Sequence, residues 1–376
     1  MRSSADDSAG DIADADLHVL FTSLSESSLP RAPLNAALSR AIAADADLYR
    51  LMRHAPPTQR NPVLLLACLH ASLLDDPAHP LVEWYPNLTP DPRPADDPAL
   101  AAALGAFVAE RTPAIIALLR TRSTQTNEVG RSAMFLVPFG VLADEVGPLG
   151  HLDVGTSAGL NLLLDRFAYR FHPRDDASEV ATVGSPSSAV LTVSTEGRPP
   201  IPATVPPIAD RCGIDRRPID VTDDDEARWL EACVWPDQTD RFERLRAAID
   251  LARDRPPEIL AGDAVDTLER GVESVGGAGH PVITNSWVLN YFTSDQRRAY
   301  LAELDRIGAT RDLSWVWFES PQLTPELPAP DAALADASQT ILSLARWRGG
   351  RRTVEHLAVC HPHGYWLHWL RPPQHG

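Results

Sequence analysis

The sequence predicts an α/β protein in which a mostly parallel β-sheet follows an all-helical N-terminal region. Two observations indicate this class. Up to about residue 122, Ala and Leu recur with helical spacing. From residue 151 onward, short apolar runs alternate with amphipathic stretches, which is typical of strand–helix–strand units and therefore of parallel strands. We place the domain boundary between residues 146 and 147.

The first part of the chain is predicted to hold a tail and a helical cap. Residues 1–14 are acidic, with neither the basic segment nor the apolar core of a signal peptide, and we interpret them as a disordered tail. Residues 15–146 form the cap. Its helices are predicted at 37–55, 61–74, 98–121 and 130–145, with proline-rich connectors between them. No apolar run reaches the ~18–20 residues of a membrane span.

Residues 147–376 are predicted to form the sheet domain. The first strand is 151–154, and its helix is 157–167. Later strands are predicted at 208–215, 258–264, 281–292 and 312–320, with helices at 239–254 and 294–308. Residues 351–370 are predicted to form two closing strands around a His-Gly turn. Residues 168–207, which contain the apolar run AVLTVST, are interpreted as a β-hairpin insertion.

Composition limits the classes of function. The formal net charge is −17, and all 34 residues of the Lys-plus-Arg total are arginine. The chain therefore lacks the basic character expected of a duplex nucleic-acid binder, and it has no Schiff-base or P-loop lysine. Four scattered cysteines without a C-x-x-C pair argue against a disulfide framework or a structural zinc site. We expect a cytoplasmic protein that binds neither nucleic acid nor membrane; the oligomeric state stays open.

The segment HLDVGTSAGLNLLLDRF, residues 151–167, permits three interpretations. As D-x-G-x-x-x-G, it is a loop that holds a phosphate or nucleoside at a helix N-terminus, through Asp153, Gly155 and Gly159. As G-x-S-x-G, it is the nucleophile elbow of a serine hydrolase with Ser157 as nucleophile. As neither, it is a structural turn.

The hydrolase interpretation needs a base and an acid elsewhere in the chain. His361 or His363 would supply the base, and Asp263 or Glu319 the acid. A nucleophile elbow normally follows an oxyanion loop such as HGGG, and no such motif precedes residue 150.

The nucleoside interpretation draws on two later acids. Asp215 follows the second predicted strand, and Asp263, next to Ala264, follows the third. Parallel sheets bind ligands at the carboxyl ends of their strands, where an acid chelates ribose hydroxyls and polar groups reach the base. Because the insertion delays the second strand, Asp220 is an alternative to Asp215.

These motifs, in this order, resemble the class I, Rossmann-like S-adenosylmethionine-dependent methyltransferases over about residues 147–376. The resemblance implies a mostly parallel seven-stranded sheet with an antiparallel C-terminal hairpin. It also implies S-adenosylmethionine as cofactor, its methionine part on the first motif, its ribose on the second acid and its adenine on the third motif. By position, the cofactor-binding residues are Asp153, Gly155, Ser157, Gly159, Asn161, Asp215, Asp263, Ala264 and Asn285.

Over nearly its whole length, the chain is also similar to a bacterial family catalogued as domain of unknown function 2332. The similarity lies in residues 124–133, 153–167, 213–221 and 361–369. That family implies no activity.

Residues for the methyl acceptor are expected after the fourth predicted strand, in NSWVLNYF at 285–292. Asn290 and Tyr291 are the catalytic candidates there, and Ser286 is a further acceptor-side residue. Because an asparagine is not a base, Asn290 would only position a substrate.

His361 and His363 are the remaining catalytic candidates, since alternate residues of a strand share one face. A general base, a turn and a metal site are the three interpretations. No third ligand lies at suitable spacing, so we predict no metal.

The polar segment TQTNEVGR, residues 124–131, precedes a predicted helix. In one interpretation, Asn127, Glu128 and Arg131 form part of a lid over the pocket. In the other, Thr126 or Asn127 is a helix N-cap and Glu128 bonds back to it in a capping box. From all these features we expect a methyltransferase that acts on a small molecule. A non-catalytic S-adenosylmethionine- or nucleoside-binding protein and the Ser157 hydrolase are the alternatives.

Overall fold

The computed structural model describes residues 12–174, 176, 181–328, 330 and 339–370. The chain divides into two compact units, Met1–Thr126 with Asp223–Glu243, and Asn127–Thr222 with Arg244–Gly376. This division differs from the predicted boundary at 146/147, because the helix before the first strand belongs to the second unit. Of the tail predicted at 1–14, residues 1–11 lie outside the described residues, and the first helix begins at Asp14.

The first unit is helical, as its Ala and Leu spacing predicts. Its helices are α1 (Asp14–Ser28), α2 (Pro33–Ala43), α3 (Ala46–Tyr49), α4 (Pro62–Leu74), α5 (Leu100–Thr121) and, after the sheet unit's first segment, α7 (Asp224–Ala232). The single helix predicted at 37–55 is instead broken at Asp45. The Asp45 side chain accepts a hydrogen bond from the Asp47 main-chain N–H and so starts a new helix.

Helix α5 is the one described helix long and apolar enough to cross a membrane by length and composition. Its most apolar 18 residues have a mean hydropathy of 1.5, and 28% of that window is buried. Glu110 and Arg111 interrupt the apolar run, which is why no uninterrupted span was expected from the sequence. Core helices pass the same test, so α5 is only a weak indication of a membrane segment.

The second unit contains one sheet of eleven strands among the described residues, mostly parallel with antiparallel strands included. The strands are β1 (Leu149–Val154), β2 (Ala168–Pro173), β3 (Ala181–Val183), β4 (Val190–Glu196), β5 (Ile208–Asp215), β6 (Ile259–Ala261), β7 (His280–Ser286), β8 (Leu313–Glu319), β9 (Thr340–Arg348), β10 (Arg351–Cys360) and β11 (Trp366–Trp369). Their order across the sheet is β3-β2-β4-β11-β10-β9-β8-β7-β1-β5-β6.

Five of these strands, β6-β5-β1-β7-β8, are parallel neighbours. Numbered along the chain, they have the order 3-2-1-4-5, in which the winding direction reverses between β1 and β7. Strands β9, β10 and β11 continue the sheet through the antiparallel pairs β8–β9, β9–β10 and β10–β11, and the last of these confirms the closing strand pair. The sheet therefore exceeds the seven strands expected.

The insertion is not an isolated hairpin. Strands β2 and β3 pair antiparallel, but β4 pairs parallel with β2 and also with β11, so the inserted strands extend the main sheet. Strand β9 was not predicted from the sequence. It pairs with β8 on one side and β10 on the other.

The remaining helices of the second unit are α6 (Ser132–Val146), α9 (Ala264–Val275) and α10 (Ser294–Gly308), and α8 (Thr239–Asp254) crosses the unit boundary. Helices α9 and α10 pack on one sheet face around Leu152, Ile283 and Trp315. The predicted helix 157–167 is wrong: Gly159 is left-handed, and only 3₁₀ turns with a kink at Leu163 follow at Leu160–Arg166.

Candidate functional site

The carboxyl ends of β1 and β7 meet where the winding direction of the sheet reverses, which is the ligand-binding position of open parallel sheets. The loops that leave these two strands contain Ser157 and Trp287, both with φ of 56°. Among the described residues, they are the only non-glycine residues with positive φ. Strained backbone of this kind concentrates at functional sites, so the two loops mark the candidate site.

Asp153 lies near the end of β1, buried between the neighbouring strands, opposite Thr284 on β7. Its Oδ1 accepts a hydrogen bond from Thr284 Oγ1 at 2.7 Å, and its Oδ2 accepts one from Thr156 Oγ1 at 2.8 Å. Burial raises the pKa of Asp153 to about 6, against the lowering effect of these hydroxyl donors. Asp153 thus stabilises the loop after β1 through its hydrogen bond with Thr156.

Asp215 ends β5 and contacts the loop directly. Its Oδ2 accepts a hydrogen bond from the Ser157 main-chain N–H, and its Oδ1 accepts one from that of Arg217, both at 2.8 Å. The structure therefore brings together Asp215 and the first motif, which the sequence placed at one edge of the sheet. Asp220 instead accepts hydrogen bonds from the Thr222 main-chain N–H and hydroxyl.

The two motif glycines are needed for reasons that involve protein atoms. Gly155 has φ of 73°, and a Cβ there would lie 2.4 Å from Val288 Cγ2. Gly159 has φ of 72°, and a Cβ there would lie 2.6 Å from Pro257 Cγ. Backbone conformation and packing thus account for both glycines.

Asp263 and Ala264 have structural roles at the end of β6. Asp263 caps α9 by accepting a hydrogen bond from the Val265 main-chain N–H at 2.9 Å, and it pairs with Arg216. Ala264 packs in the core under the sheet. These contacts explain both residues without the adenine contact that the resemblance implied.

Asn285 ends up beneath the loop after β7. Its Nδ2 donates to Glu319 Oε1 at 2.9 Å, and its Oδ1 accepts from Trp315 Nε1 at 2.6 Å. Glu319 Oε1 also accepts the main-chain N–H groups of Val288 and Leu289. Asn285 and Glu319 therefore both stabilise the loop after β7. These contacts do not support the assignment of the buried Asn285 as a cofactor-binding residue.

Burial raises the pKa of Glu319 to about 7, even though three N–H donors and the charge of Arg131 favour its ionised form. Buried carboxyls with raised pKa values cluster at functional sites, and both Glu319 and Asp153 are of this kind.

The predicted catalytic residues Asn290 and Tyr291 are exposed, Tyr291 by 73%.

The predicted lid segment packs against the site. Asn127 Oδ1 accepts a hydrogen bond from the Leu160 main-chain N–H at 3.1 Å, and Asn161 Oδ1 accepts one from Ser132 Oγ at 2.8 Å. Glu128 Oε1 accepts the Gly130 N–H at 3.1 Å, so Glu128 itself caps the 3₁₀ turn Val129–Arg131, whereas Thr126 or Asn127 was the cap expected from the sequence. The segment is thus both a local cap and a wall of the site.

An ion-pair contact and hydrogen bonds connect the same segment to the turn between β10 and β11. Glu128 Oε2 lies 3.1 Å from His363 Nδ1. Arg131 donates from Nε to the Pro362 carbonyl at 3.0 Å and from Nη1 to the Ser286 carbonyl at 2.9 Å. Residues 127–131 therefore join the histidine turn to the end of β7, a juxtaposition that sequence reasoning did not foresee.

Arg244 and Thr284 were missed from the sequence. Arg244 Nη2 lies 3.8 Å from Glu128 Oε1, and its guanidinium lies over the Tyr365 ring. An arginine on an amphipathic helix and a threonine inside an apolar strand carry no motif, so only the three-dimensional contacts identify them. Among the described residues, no group of three metal-ligating side chains surrounds His361 and His363.

The close packing of this turn against residues 127–131 leaves no room for a side chain at Gly364. Its φ is 75°, and a Cβ would lie 2.2 Å from the Gly130 carbonyl oxygen. Gly364→Ala should therefore lower the free energy of unfolding by about 2 kcal/mol or more, measured by urea denaturation. Gly147→Ala is the matched control, because its φ is 82° but no atom lies within 4 Å of the added Cβ. Equal losses in the two variants would contradict the clash.

A family model described as "Uncharacterized protein conserved in bacteria (DUF2332)" matches residues 20–369. This match confirms the whole-chain similarity expected from the sequence, and it includes every residue of the site described above. No curated protein matches the chain, and no solved structure matches it.

Proposed function

The chain belongs to this bacterial family, and we propose that it acts as an S-adenosylmethionine-dependent methyltransferase on a small molecule. The observation that carries the proposal is the contact between Asp215 and Ser157 at the point where the sheet reverses its winding. An acid at the end of the strand next to β1 is where nucleoside-binding sheets chelate ribose hydroxyls. The strand order 3-2-1-4-5 supports a Rossmann-like assignment.

The chemistry of the site suits such a cofactor. Trp287 Nε1 and Glu319 Oε2 are buried at the loop after β7, and neither has a hydrogen-bond partner among the described residues. Buried polar atoms without partners are costly, and ligand groups are one way to satisfy them. Asp215 would hold the ribose, and the Ser157 hydroxyl the amino-acid end. When bound, S-adenosylmethionine supplies an electrophilic methyl group, while the protein contributes proximity and orientation.

A small-molecule acceptor in the cytoplasm fits the charge of the chain. The net charge of −17 disfavours approach of a polyanion such as nucleic acid. Tyr291 and Asn290 are exposed beside the loop after β7, where they would meet an acceptor rather than a buried cofactor.

Isothermal titration with S-adenosylmethionine and S-adenosylhomocysteine tests the proposal. We expect both to bind, and Asp215→Asn to weaken both by about ten-fold, or roughly 1.4 kcal/mol. Asp210→Asn, an exposed residue of the same strand, is the matched control and should bind as the wild type does. Wild-type protein that binds neither compound would contradict the proposal. Binding without methyl transfer to any acceptor in a broad library would favour a non-catalytic binding protein.

One observation favours the serine hydrolase as a second candidate. Ser157 lies in G-x-S-x-G with φ of 56°, and a nucleophile elbow likewise places its serine on a strained turn after a strand. A fluorophosphonate probe separates the two functions. Methyltransferase function predicts no covalent labelling, whereas labelling of the wild type that Ser157→Ala abolishes would establish the hydrolase.

A further inference from the structure

The contact between Glu128 and His363 has the form of a carboxylate–imidazole pair. Glu128 is only 4% exposed, and its Oε2 lies 3.1 Å from His363 Nδ1. The His363 side chain is 26% exposed, while its Nδ1 is buried against Glu128. With Nδ1 turned to Glu128, the nitrogen left to act on a substrate is Nε2.

A carboxylate beside Nδ1 fixes the tautomer of a neutral imidazole. It attracts the proton to Nδ1 and leaves a lone pair on Nε2, which is the form a general base requires. Glu128 keeps its orientation because its other oxygen, Oε1, accepts the Gly130 N–H. Arg244, 3.8 Å from Oε1, compensates the buried negative charge.

We propose that His363 is a general base of this site, with Nε2 as the accepting atom, and that Glu128 is the residue that positions it. The inference rests on the proposed methyltransferase function and extends it to the class of acceptor. That acceptor carries a proton on its attacking atom, as a hydroxyl or an N–H group does, and must lose it during transfer. A thioether or tertiary amine would need no such base.

The position of the pair supports this role. Asn127, which precedes Glu128, binds the loop after β1, and Arg131 joins the histidine turn to Ser286 at the end of β7. The base is thus tied to both loops that mark the site. Within the described part of the chain, the other charged or titratable groups near the pair include Arg131, Arg244 and His361, whose ring centroid lies 5.6 Å from that of His363.

The proposed step balances without a further reactant. The acceptor's O–H or N–H bond breaks, and its proton moves to His363 Nε2. The acceptor's electron pair forms the new bond to the methyl carbon, while the pair of the breaking carbon–sulfur bond stays on sulfur. Glu128 stabilises the resulting imidazolium.

Glu128→Gln is a sharp test because Gly130 fixes the orientation of the new amide. The amide oxygen must stay on the Gly130 N–H, so its NH₂ group faces His363 Nδ1. A facing donor forces the lone pair onto Nδ1 and the proton onto Nε2. In ¹⁵N NMR of the neutral imidazoles, we therefore expect His363 to be protonated at Nδ1 in the wild type and at Nε2 in the variant.

His361 provides an internal control in the same spectra. Its Nδ1 accepts the His363 main-chain N–H at 3.1 Å, so its neutral form carries the proton on Nε2 in both proteins. His361→Gln and His363→Gln assign the two signals. Glu269→Gln, an exposed residue of α9, is the matched control and should leave both tautomers unchanged. An Nε2-protonated His363 in the wild type, or a tautomer that Glu128→Gln does not change, would overturn the proposal.

Chemical modification gives a second readout that needs no acceptor. Diethylpyrocarbonate acylates an accessible imidazole lone pair, and peptide mass spectrometry locates the product. We expect the modification of His363 to slow about ten-fold in Glu128→Gln, because its lone pair is then on the buried Nδ1. An equal rate in the two proteins would contradict the proposed role of Glu128.

S-adenosylhomocysteine titration separates this proposal from the proposed function. Glu128→Gln should bind it as the wild type does, because the pair serves the acceptor. If the wild type does not bind S-adenosylhomocysteine, the proposed methyltransferase function is wrong, but the tautomer measured for His363 is unaffected. A binding wild type with an unchanged tautomer would overturn the base alone.

Discussion

Wild-type protein should lose stability relative to Glu319→Gln as the pH rises from 4.5 to about 7. Burial raises the pKa of Glu319 from 4.5 to about 7, so the folded protein holds this proton more tightly than the unfolded chain. The stabilisation is therefore complete below pH 4.5 and is lost as the pH approaches 7. A shift of this size corresponds to about 3 kcal/mol. Urea denaturation of both proteins across this range measures the difference.

The substitution isolates the charge because an amide can retain the contacts. Glu319 Oε1 accepts all three N–H donors, and Oε2 has no partner among the described residues, so an NH₂ group can take its place. Asp153→Asn should give a difference of the same sign, since burial raises the pKa of Asp153 from 3.8 to about 6.

Glu303→Gln is the control with the opposite sign. Hydrogen bonding to Arg306 lowers the pKa of Glu303, so its stabilisation is present above pH 4.5 and is lost as the pH falls. Wild type should therefore gain stability relative to this variant as the pH rises. A Glu319→Gln difference that is flat with pH, or that follows Glu303→Gln, would show that folding does not raise the pKa of Glu319.

The sequence predicted those elements whose signal is local. Strand β5 and helices α8 and α10 have the predicted bounds, because alternation, helical spacing and caps such as Thr293 act within a few residues. Strand β9 and the pairing of β4 with β11 were missed, because strand partnership depends on residues far apart in the chain. The predicted helix after β1 failed because the left-handed Gly159 interrupts it.

The site was predicted in part for the same reason. Asp215 was placed beside the first motif because successive parallel strands end at one edge of the sheet. Glu128 and His363 were each singled out, but more than two hundred residues separate them, and no spacing rule joins such a pair. Asp263 and Asn285 fitted a motif order, yet their side chains cap a helix and support a loop. The order of the motifs therefore predicts where these residues lie in the sheet, but not the direction in which their side chains point.

Replacing Arg131 with Met should have the largest effect of any single substitution in the site. Arg131 is 6% exposed, and its guanidinium donates to the carbonyl oxygens of Pro362 and Ser286. Methionine fills a similar volume but removes the guanidinium donor from both carbonyl oxygens, which costs about 3 kcal/mol in the free energy of unfolding. Urea denaturation monitored by tryptophan fluorescence measures this loss.

The same substitution removes a positive charge that acts on two buried carboxyls. The charge of Arg131 lowers the pKa of Asp153 and that of Glu319, and burial outweighs it at both residues. In Arg131→Met, the pH range over which Glu319 loses its stabilising proton should therefore move upward. Arg298→Met removes an exposed arginine that pairs with Asp295 within α10, and it should change stability by less than about 0.5 kcal/mol without moving that range. If the two variants behave alike, the histidine turn and the end of β7 are held together by contacts other than Arg131.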